Sequence, residues 1–160
     1  MSVDTSAAVR SHEENWQPIL ELAVEEVFEI MVGCRVKPVP RSEHKTSAEF
    51  TAMIGLAGSL CGVLTVCCGA QTAKQIAKGM LGDIVTSEDQ VSDALGEICN
   101  MVAGNFKNKL TGMDGRCLLS VPTVISGGQY QLRSLAGGDL LDVCVLFEGA
   151  PVAVRLELHS

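Results

Sequence analysis

The chain has 160 residues, a formal net charge of −7 at pH 7, and 47% hydrophobic against 19% charged residues. This length fits one compact domain with its own core and is short for two domains of ordinary size. Proteins that bind the phosphate backbone of nucleic acids need clustered Lys and Arg, so we expect this acidic chain to bind no nucleic acid. We predict a loose N-terminal tail over residues 1–12 and a single domain over residues 13–160.

The cysteine and histidine patterns bear on compartment and metal binding. Seven cysteines lie among Val, Leu and Ile, and none forms a CxxC pair. This setting is typical of small buried hydrophobic residues in a reducing compartment rather than of a disulfide framework. His12, His44 and His159 are too scattered to supply metal-ligand spacing. We therefore predict a cytoplasmic protein with no metal site.

One segment without charged residues, positions 51–73, resembles a membrane span by hydropathy. It contains four glycines, and the pair Gly58-Ser59 separates two β-friendly runs as a hairpin turn would. We predict two buried strands here and no membrane insertion. The N-terminus has Asp4 and no apolar segment after a basic patch, so it is not typical of a signal peptide.

The first helix is predicted over residues 13–32, with Gly33 as its stop signal. Its apolar face at helical spacing is predicted to consist of Ile19, Leu22, Ala23, Val27, Ile30 and Met31. Strands are predicted next over residues 35–39, 47–56 and 60–67. A short helix over residues 71–81 should end at Gly82.

A second long helix is predicted to begin after Ser87, which can act as N-cap and form a capping box with Gln90. It should run to about residue 110 and end at Thr111-Gly112. Strands are predicted over residues 117–125, 130–135, 140–147 and 152–159, with a turn over residues 148–151. The last strand alternates apolar and polar side chains, which indicates a sheet with one face covered by helices. The order of helix then strands, repeated, suggests a structural duplication.

The second long helix has two different sides. Its predicted core stripe consists of Val91, Leu95, Ile98, Val102 and Phe106. The opposite side carries Asp93, Glu97, Asn100, Gly104, Lys107 and Asn108. Glu97 and Asn100 are i,i+3 neighbours, which places their Cβ atoms about 5–6 Å apart and facing outward together.

That pair alone is also what an ordinary solvated helix face would show. Gly104 adds weight to a functional interpretation, since a mid-helix glycine costs about 1 kcal/mol relative to alanine. It indicates a surface that a partner approaches closely, with close packing in the core as the alternative explanation. Gly96 is a second weak position in the same helix.

The pattern Asp93-x-x-x-Glu97-x-x-Asn100, followed by Met101-Val102-Ala103-Gly104-Asn105 and by Pro122, resembles the signature of the CheC/CheX/FliY phosphatases. Supporting segments lie at positions 54–62 and 120–127, so the resemblance covers nearly the whole chain from Trp16. CheC-type members carry a second E-x-x-N on the first helix. No glutamate of the first helix here is followed three residues later by Asn, which favours the CheX type with one site per chain.

The resemblance implies an α/β (α+β) fold of two long helices on one face of a largely antiparallel sheet. It also implies hydrolysis of the aspartyl phosphate on a CheY-like response regulator, with Asn100 orienting the water and Glu97 pairing with the receiver's lysine. Asp93, Gly104 and Lys107 would contact the substrate protein. This chain would bind no cofactor, because the receiver supplies Mg²⁺, and it would form a homodimer.

Two other functions fit the same residues. One is a non-catalytic module that binds receivers, or a scaffold like those of the flagellar switch, because fold does not decide function. The presence of both Glu97 and Asn100 favours the enzyme. The other is a small-ligand domain, which has little support because the sequence lacks a phosphate-binding glycine loop and a nucleophile with an activating base.

Overall fold

The computed structural model describes residues 5–40, 49–84, 87–110, 117–127 and 139–159, and for residues 5–15 and 139 it describes the backbone only. The helices are α1 (Thr5–Val27), α2 (Ala70–Leu81) and α3 (Glu88–Lys109). A π-helical turn, called the π-turn below, continues α1 over Phe28–Val32. The strands are β1 (Pro38–Val39), β2 (Phe50–Gly58), β3 (Gly62–Cys68), β4 (Cys117–Leu119), β5 (Thr123–Ser126), β6 (Asp139–Phe147) and β7 (Ala150–Leu158).

The strands form one sheet in the order β1-β6-β7-β3-β2-β4, with β5 also paired to β2. Every pairing among the described strands is antiparallel. The order is symmetric about β7 and β3. Each half contributes a long helix, a short edge strand and a central hairpin, and each edge strand pairs with the hairpin of the other half. The predicted duplication is therefore present in the topology, and the α+β class is confirmed.

The core lies between the helices and one face of the sheet. Ile54, Leu64, Leu156 and Leu141 are consecutive cross-strand partners from β2 to β6, and all four are buried. On the opposite face, the paired residues Asp142 and Arg155 are only partly buried, with Oδ2 and Nη2 3.9 Å apart. One face is thus dry and the other wetter, as the alternation in β7 predicted.

The predicted buried face of α1 is confirmed only in part. The buried side chains are Leu20, Ala23, Val24, Val27 and Phe28, so Ala23 and Val27 were assigned correctly. Ile19 and Met31 are partly buried against the core, whereas Leu22 and Ile30 are 45% and 75% exposed. Helical spacing allowed the face to be centred on either side of Ala23 and Val27. Packing of Phe28 against Phe147 on β6, with ring centroids 5.9 Å apart, decides which side is buried.

The ends of the first helix also differ from the prediction. The helix begins at Thr5 instead of near residue 13, because residues 5–12 contain no Gly or Pro and include two alanines, which favour helix. The separate N-terminal tail and the domain boundary at residue 13 stay predictions. At the other end Gly33 adopts φ 72° as expected, and Cys34 N donates to Phe28 O there.

The charge-free segment at positions 51–73 forms β2, β3 and the start of α2, so the prediction of paired strands is confirmed. None of the helices in the described ranges is long and apolar enough to cross a membrane. The predicted strand over residues 117–125 is interrupted at Ser120 and consists of β4 and β5. Ser120 N donates a hydrogen bond to Gly55 O, and Ser120 Oγ accepts one from Gly55 N. The final turn is narrower than predicted, with Glu148 and Gly149 at positive φ.

Two expectations fall outside the described residues. They are the strand over residues 130–135 and the helix stop at Thr111-Gly112. The other predicted strands and helices are present, although the strand predicted over residues 35–39 contains only the two residues of β1.

Candidate functional site

The start of α3 and the side of the helix that faces the core both follow from its sequence. The Ser87 side chain accepts from Gln90 N at 3.2 Å and Gln90 Oε1 accepts from Ser87 N at 3.1 Å, which completes the predicted capping box. All five residues of the predicted core stripe are buried. Phe106 also meets the ring of Trp16 edge-on, with centroids 6.3 Å apart. These contacts fix which side of α3 faces outward.

The outward side carries the residues that the sequence singled out. Glu97 and Asp93 are exposed, whereas Asn100, Gly104 and Lys107 are partly buried. Within the described part of the chain, neither Glu97 nor Asn100 has a hydrogen-bond or ion-pair partner. A carboxylate and a carboxamide about one helical turn apart are therefore both available to a second molecule.

The two glycines of α3 have different environments. A Cβ atom at Gly104 would meet nothing within 4 Å among the described residues, so their packing does not explain this glycine. Gly96 is buried, and a Cβ there would lie 3.4 Å from Val124 Cγ2 and 3.6 Å from Pro122 Cβ. Both distances are ordinary van der Waals contacts, so an alanine would also fit at position 96. Gly96 therefore packs against the segment that leads into β5, whereas Gly104 faces open space.

A cluster of three polar side chains joins α3 to α1, and we call it the clasp: Glu26, Asn105 and Lys109. Asn105 Nδ2 donates to Glu26 Oε2 at 2.9 Å and to the backbone O of Ala23 at 3.5 Å. Lys109 Nζ lies 2.8 Å from Glu26 Oε2. The hydrogen bond from Lys109, followed by that from Asn105, lowers the pKa of Glu26 below its usual 4.5 against a smaller opposing effect of burial.

Beside the clasp, a groove of about 330 Å³ separates α3 from the end of α1 and the π-turn. Its polar lining residues are Glu26, Asn100, Asn105 and Asn108, and its apolar ones are Val27, Ile30, Met31, Met101 and Leu119, with Gly104 between them. The side chain of Asn100 therefore faces a recess as well as open solvent. Glu97, one turn earlier on α3, lies outside this lining.

A larger cavity of about 520 Å³ lies at the other end of α3. It is lined by Phe50, Ala70, Lys74, Lys78, Ser87, Glu88 and Val91. None of the candidate site residues on α3 lines it. The position of Asn100 makes the smaller groove the candidate site.

Comparison with known proteins identifies the family of this chain. The family model described as "Chemotaxis phosphatase CheX" matches residues 50–146, which is more than half of the chain. The chain belongs to the CheX family. The matched range contains all of α2 and α3, and with them every candidate site residue on α3.

Individual relatives support the same family and fold. "CheY-P phosphatase CheX" of Thermotoga maritima is 28% identical over 100 residues, or 61% of this chain, and the chain spans 64% of that relative's length. The CheX crystal structure from Desulfovibrio desulfuricans superposes with a TM-score of 0.79 at 22% identity, covering 91% of this chain and 99% of that one. A CheX-CheY-BeF3-Mg²⁺ complex from Borrelia burgdorferi gives 0.71 at 21% identity, covering 89% and 97%.

Four of the seven cysteines of this CheX-family chain lie in the core. All seven are free thiols; Cys68, Cys99, Cys117 and Cys144 are buried, and Cys34 and Cys67 are only partly buried. Burial raises the pKa of Cys68 and of Cys99 to about 12. Cys61 is exposed, contrary to the prediction, because it lies in the tight turn between β2 and β3. No described group of three or more His, Cys, Asp or Glu side chains could hold a metal ion.

Sequence reasoning missed the other side of this candidate site. Glu26 of the clasp and the groove residues Ile30 and Met31 come from α1 and the π-turn, and Glu26 is 79 positions from its partner Asn105 on α3. Asn105 was noticed only as part of the motif. The available signal for the clasp was Asn105, a polar residue at the edge of the core stripe, with the basic residue Lys109 one turn later.

Proposed function

We propose that this chain is a phosphatase that hydrolyses the aspartyl phosphate of a CheY-like receiver domain in chemotaxis signalling. The observation that carries the proposal is the pair of polar side chains, Glu97 and Asn100, which have no partner among the described residues. They lie on a helix whose rotation about its axis is fixed by its buried stripe. The CheX family of the chain supports it. So does the relative from Thermotoga maritima, which is named as a CheY-P phosphatase.

Asn100 is proposed to position the attacking water. An acyl phosphate is already activated, so the enzyme need only orient a water in line with the bond that breaks. The water oxygen forms a bond to phosphorus, the electron pair of the breaking P–O bond goes to the aspartate carboxylate, and the water proton goes to the departing phosphate. A carboxamide can accept from and donate to that water without adding a negative charge near the phosphoryl oxygens.

Glu97 is proposed to anchor the complex by pairing with the lysine of the receiver's active site. A carboxylate directed at the phosphoryl group would repel it, whereas one directed at an ammonium group is attracted to it. Its position one turn before Asn100 lets both side chains enter one active site as α3 inserts. Gly104 leaves room for that approach, and Asp93 and Lys107 are the proposed flanking contacts.

The Mg²⁺ of the reaction is proposed to come from the receiver. The described side chains of this chain do not cluster as metal ligands, and the donors on the outward face of α3 are single groups spaced along the helix. The metal would neutralise charge on the phosphoryl oxygens while it remains bound to the partner.

Two further properties follow from the family resemblance as proposals. The first is a homodimer, which light scattering of the purified chain would detect as twice the mass of 16.9 kDa. The second is a cytoplasmic location, which suits an exposed free thiol at Cys61 because reducing compartments preserve such thiols.

The decisive experiment follows loss of phosphate from Mg²⁺-loaded, phosphorylated receivers of the same organism. Wild type should accelerate hydrolysis. Asn100→Ala should lower kcat by about 100-fold or more, in the range seen when a group that orients the reactants is removed. Glu97→Gln should mainly raise KM and reduce the salt dependence of KM, because it removes one charge from the interface.

Matched controls separate these effects from damage to the fold. Gln71→Ala removes an exposed carboxamide from the first turn of α2, away from the groove, and Glu88→Gln removes an exposed carboxylate from the first turn of α3. Both should behave as wild type. Hydrolysis that continues unchanged in folded Asn100→Ala would overturn the catalytic assignment. Tight binding of the phosphorylated receiver without turnover would favour the scaffold function instead.

A further inference from the structure

The groove beside Asn100 extends past the residues that the proposed reaction uses. Asn100 and Gly104 lie on its α3 side, and Ile30 and Met31 lie on its α1 side. Its volume of about 330 Å³ is near the lower end for small-molecule sites, which span about 300–1,000 Å³. A recess of this size suits one large side chain better than a cofactor.

The lining of the groove indicates the chemistry of its occupant. Five of the ten lining residues are apolar, and three of the others are neutral asparagines. Glu26 is the one ionisable residue in the described lining, and its carboxylate is already held by Lys109 and Asn105. The lining therefore contains no free cation for a phosphate and no free carboxylate for a lysine. A neutral, apolar occupant fits these properties.

The groove is also formed in advance of binding. The clasp joins α1 to α3 along one side of it. The π-turn is held from two other directions: Phe28 packs against Phe147, and a Cβ at Gly79 of α2 would lie only 2.6 Å from Val32 Cγ1. These contacts hold the π-turn that carries Ile30, whose own side chain is 75% exposed. A backbone that is already ordered loses little further entropy when the groove is filled.

We propose that this groove receives one apolar side chain that the receiver domain presents next to its phosphorylated aspartate, and that Ile30 and Met31 determine which receivers fit. The inference rests on the proposed function. The groove is continuous with the proposed catalytic surface, because Asn100 lines it. A receiver that places its phosphoryl group at Asn100 therefore covers the groove as well. The π-turn residues Ile30 and Met31 select the receiver, and Asn100 positions the attacking water.

The test measures affinity apart from turnover. Receivers of the same organism are activated with BeF3⁻ and Mg²⁺, which gives a complex that does not turn over, and Kd is measured for wild type, Ile30→Ser and Ile84→Ser. Ile84 is a matched control, because it is 74% exposed and does not line the groove. Ile30→Ser should weaken binding about tenfold, since it removes most of an isoleucine side chain from a partly buried contact. Ile84→Ser should leave Kd within twofold.

A double-mutant cycle then identifies the occupant. Apolar receiver residues around the phosphorylated aspartate are changed one at a time to alanine and combined with Ile30→Ser. One apolar position should show coupling, so that the double variant loses less than the product of the two single losses. Coupling only to charged receiver residues, or an Ile30→Ser variant that binds like Ile84→Ser, would overturn the proposal.

The readouts separate this inference from the proposed function. If Asn100→Ala abolishes hydrolysis but Ile30→Ser changes neither Kd nor KM, the phosphatase stands and the groove assignment fails. If no hydrolysis occurs but activated receivers bind in an Ile30-dependent way, the groove stands and the catalytic proposal fails. If wild type binds none of the organism's activated receivers, both fail.

Discussion

The side-chain amide of Asn105 donates a 2.9 Å hydrogen bond to the carboxylate of Glu26, and so joins the helix that carries Asn100 to the first helix of the chain. The two residues are 79 positions apart in sequence. Lys109 and the backbone carbonyl of Ala23 complete the contact. Both partners also line the groove beside Asn100, so the bond sets one boundary of the candidate site.

Breaking this contact should destabilise the chain and disturb the site. Asn105→Ala removes the donor to both Glu26 and Ala23 O, and we expect the free energy of unfolding to fall by about 1–2 kcal/mol. Urea unfolding at pH 7 measures it, with Asn108→Ala as the control because Asn108 is exposed on the same helix and has no such contact. An equal effect of the two substitutions would show that the contact does not stabilise the fold.

The same contact should make stability depend on pH. The pKa of Glu26 is lowered in the folded chain, so its ionised form favours folding above the unfolded value of 4.5, and this stabilisation is lost as pH falls through the lower, folded value. Glu26→Gln should therefore be less stable than wild type at pH 7, and the difference should shrink below pH 4.5. A difference that stays constant down to acid denaturation would exclude Glu26 as its source.

Gly104 and Gly79 should respond in opposite ways to alanine. Gly104→Ala adds a methyl group into open space and should stabilise α3 by about 1 kcal/mol. Gly79→Ala forces a Cβ to within 2.6 Å of Val32 Cγ1 and 3.2 Å of Val32 O, so it should destabilise the contact between α2 and the π-turn. Thermal unfolding of the two variants is the measurement. If Gly104→Ala is stabilised but binds the receiver less tightly, the added methyl group obstructs the approach of the partner and does not damage the fold.

The cysteines should differ sharply in reactivity. Cys61 is exposed, whereas burial raises the pKa of Cys68 and Cys99 to about 12. Because the thiolate is the nucleophile, iodoacetamide at pH 8 should label Cys61 first and leave the two buried thiols unmodified in the folded chain. Mass spectrometry of digests taken over time measures the order. Addition of denaturant should remove the difference, and early labelling of Cys99 would contradict the packing of α3 on β3.

The sequence by itself determined the elements whose signals are local. The Ser87 capping box, the buried stripe of α3 and the outward position of Glu97 and Asn100 all follow from residues within a few turns of one another. The helix period of 3.6 residues is enough to place them. The hairpin of β2 and β3 was also predictable, because glycine and serine separate two apolar runs, although the connection lies at residues 59–61 and Gly58 ends β2.

Only the tertiary structure decided the features that depend on distant contacts. Helical periodicity placed Ala23 and Val27 in the core, but packing of Phe28 against Phe147 decided that Ile30 lies outside it. The clasp and the groove join residues of α1 and the π-turn to residues of α3, and Glu26 and Asn105 are 79 positions apart. Spacing along one helix carries no information about which side chains a second helix will bring to it. The sequence therefore located the candidate pair Glu97 and Asn100, and packing formed the recess beside it.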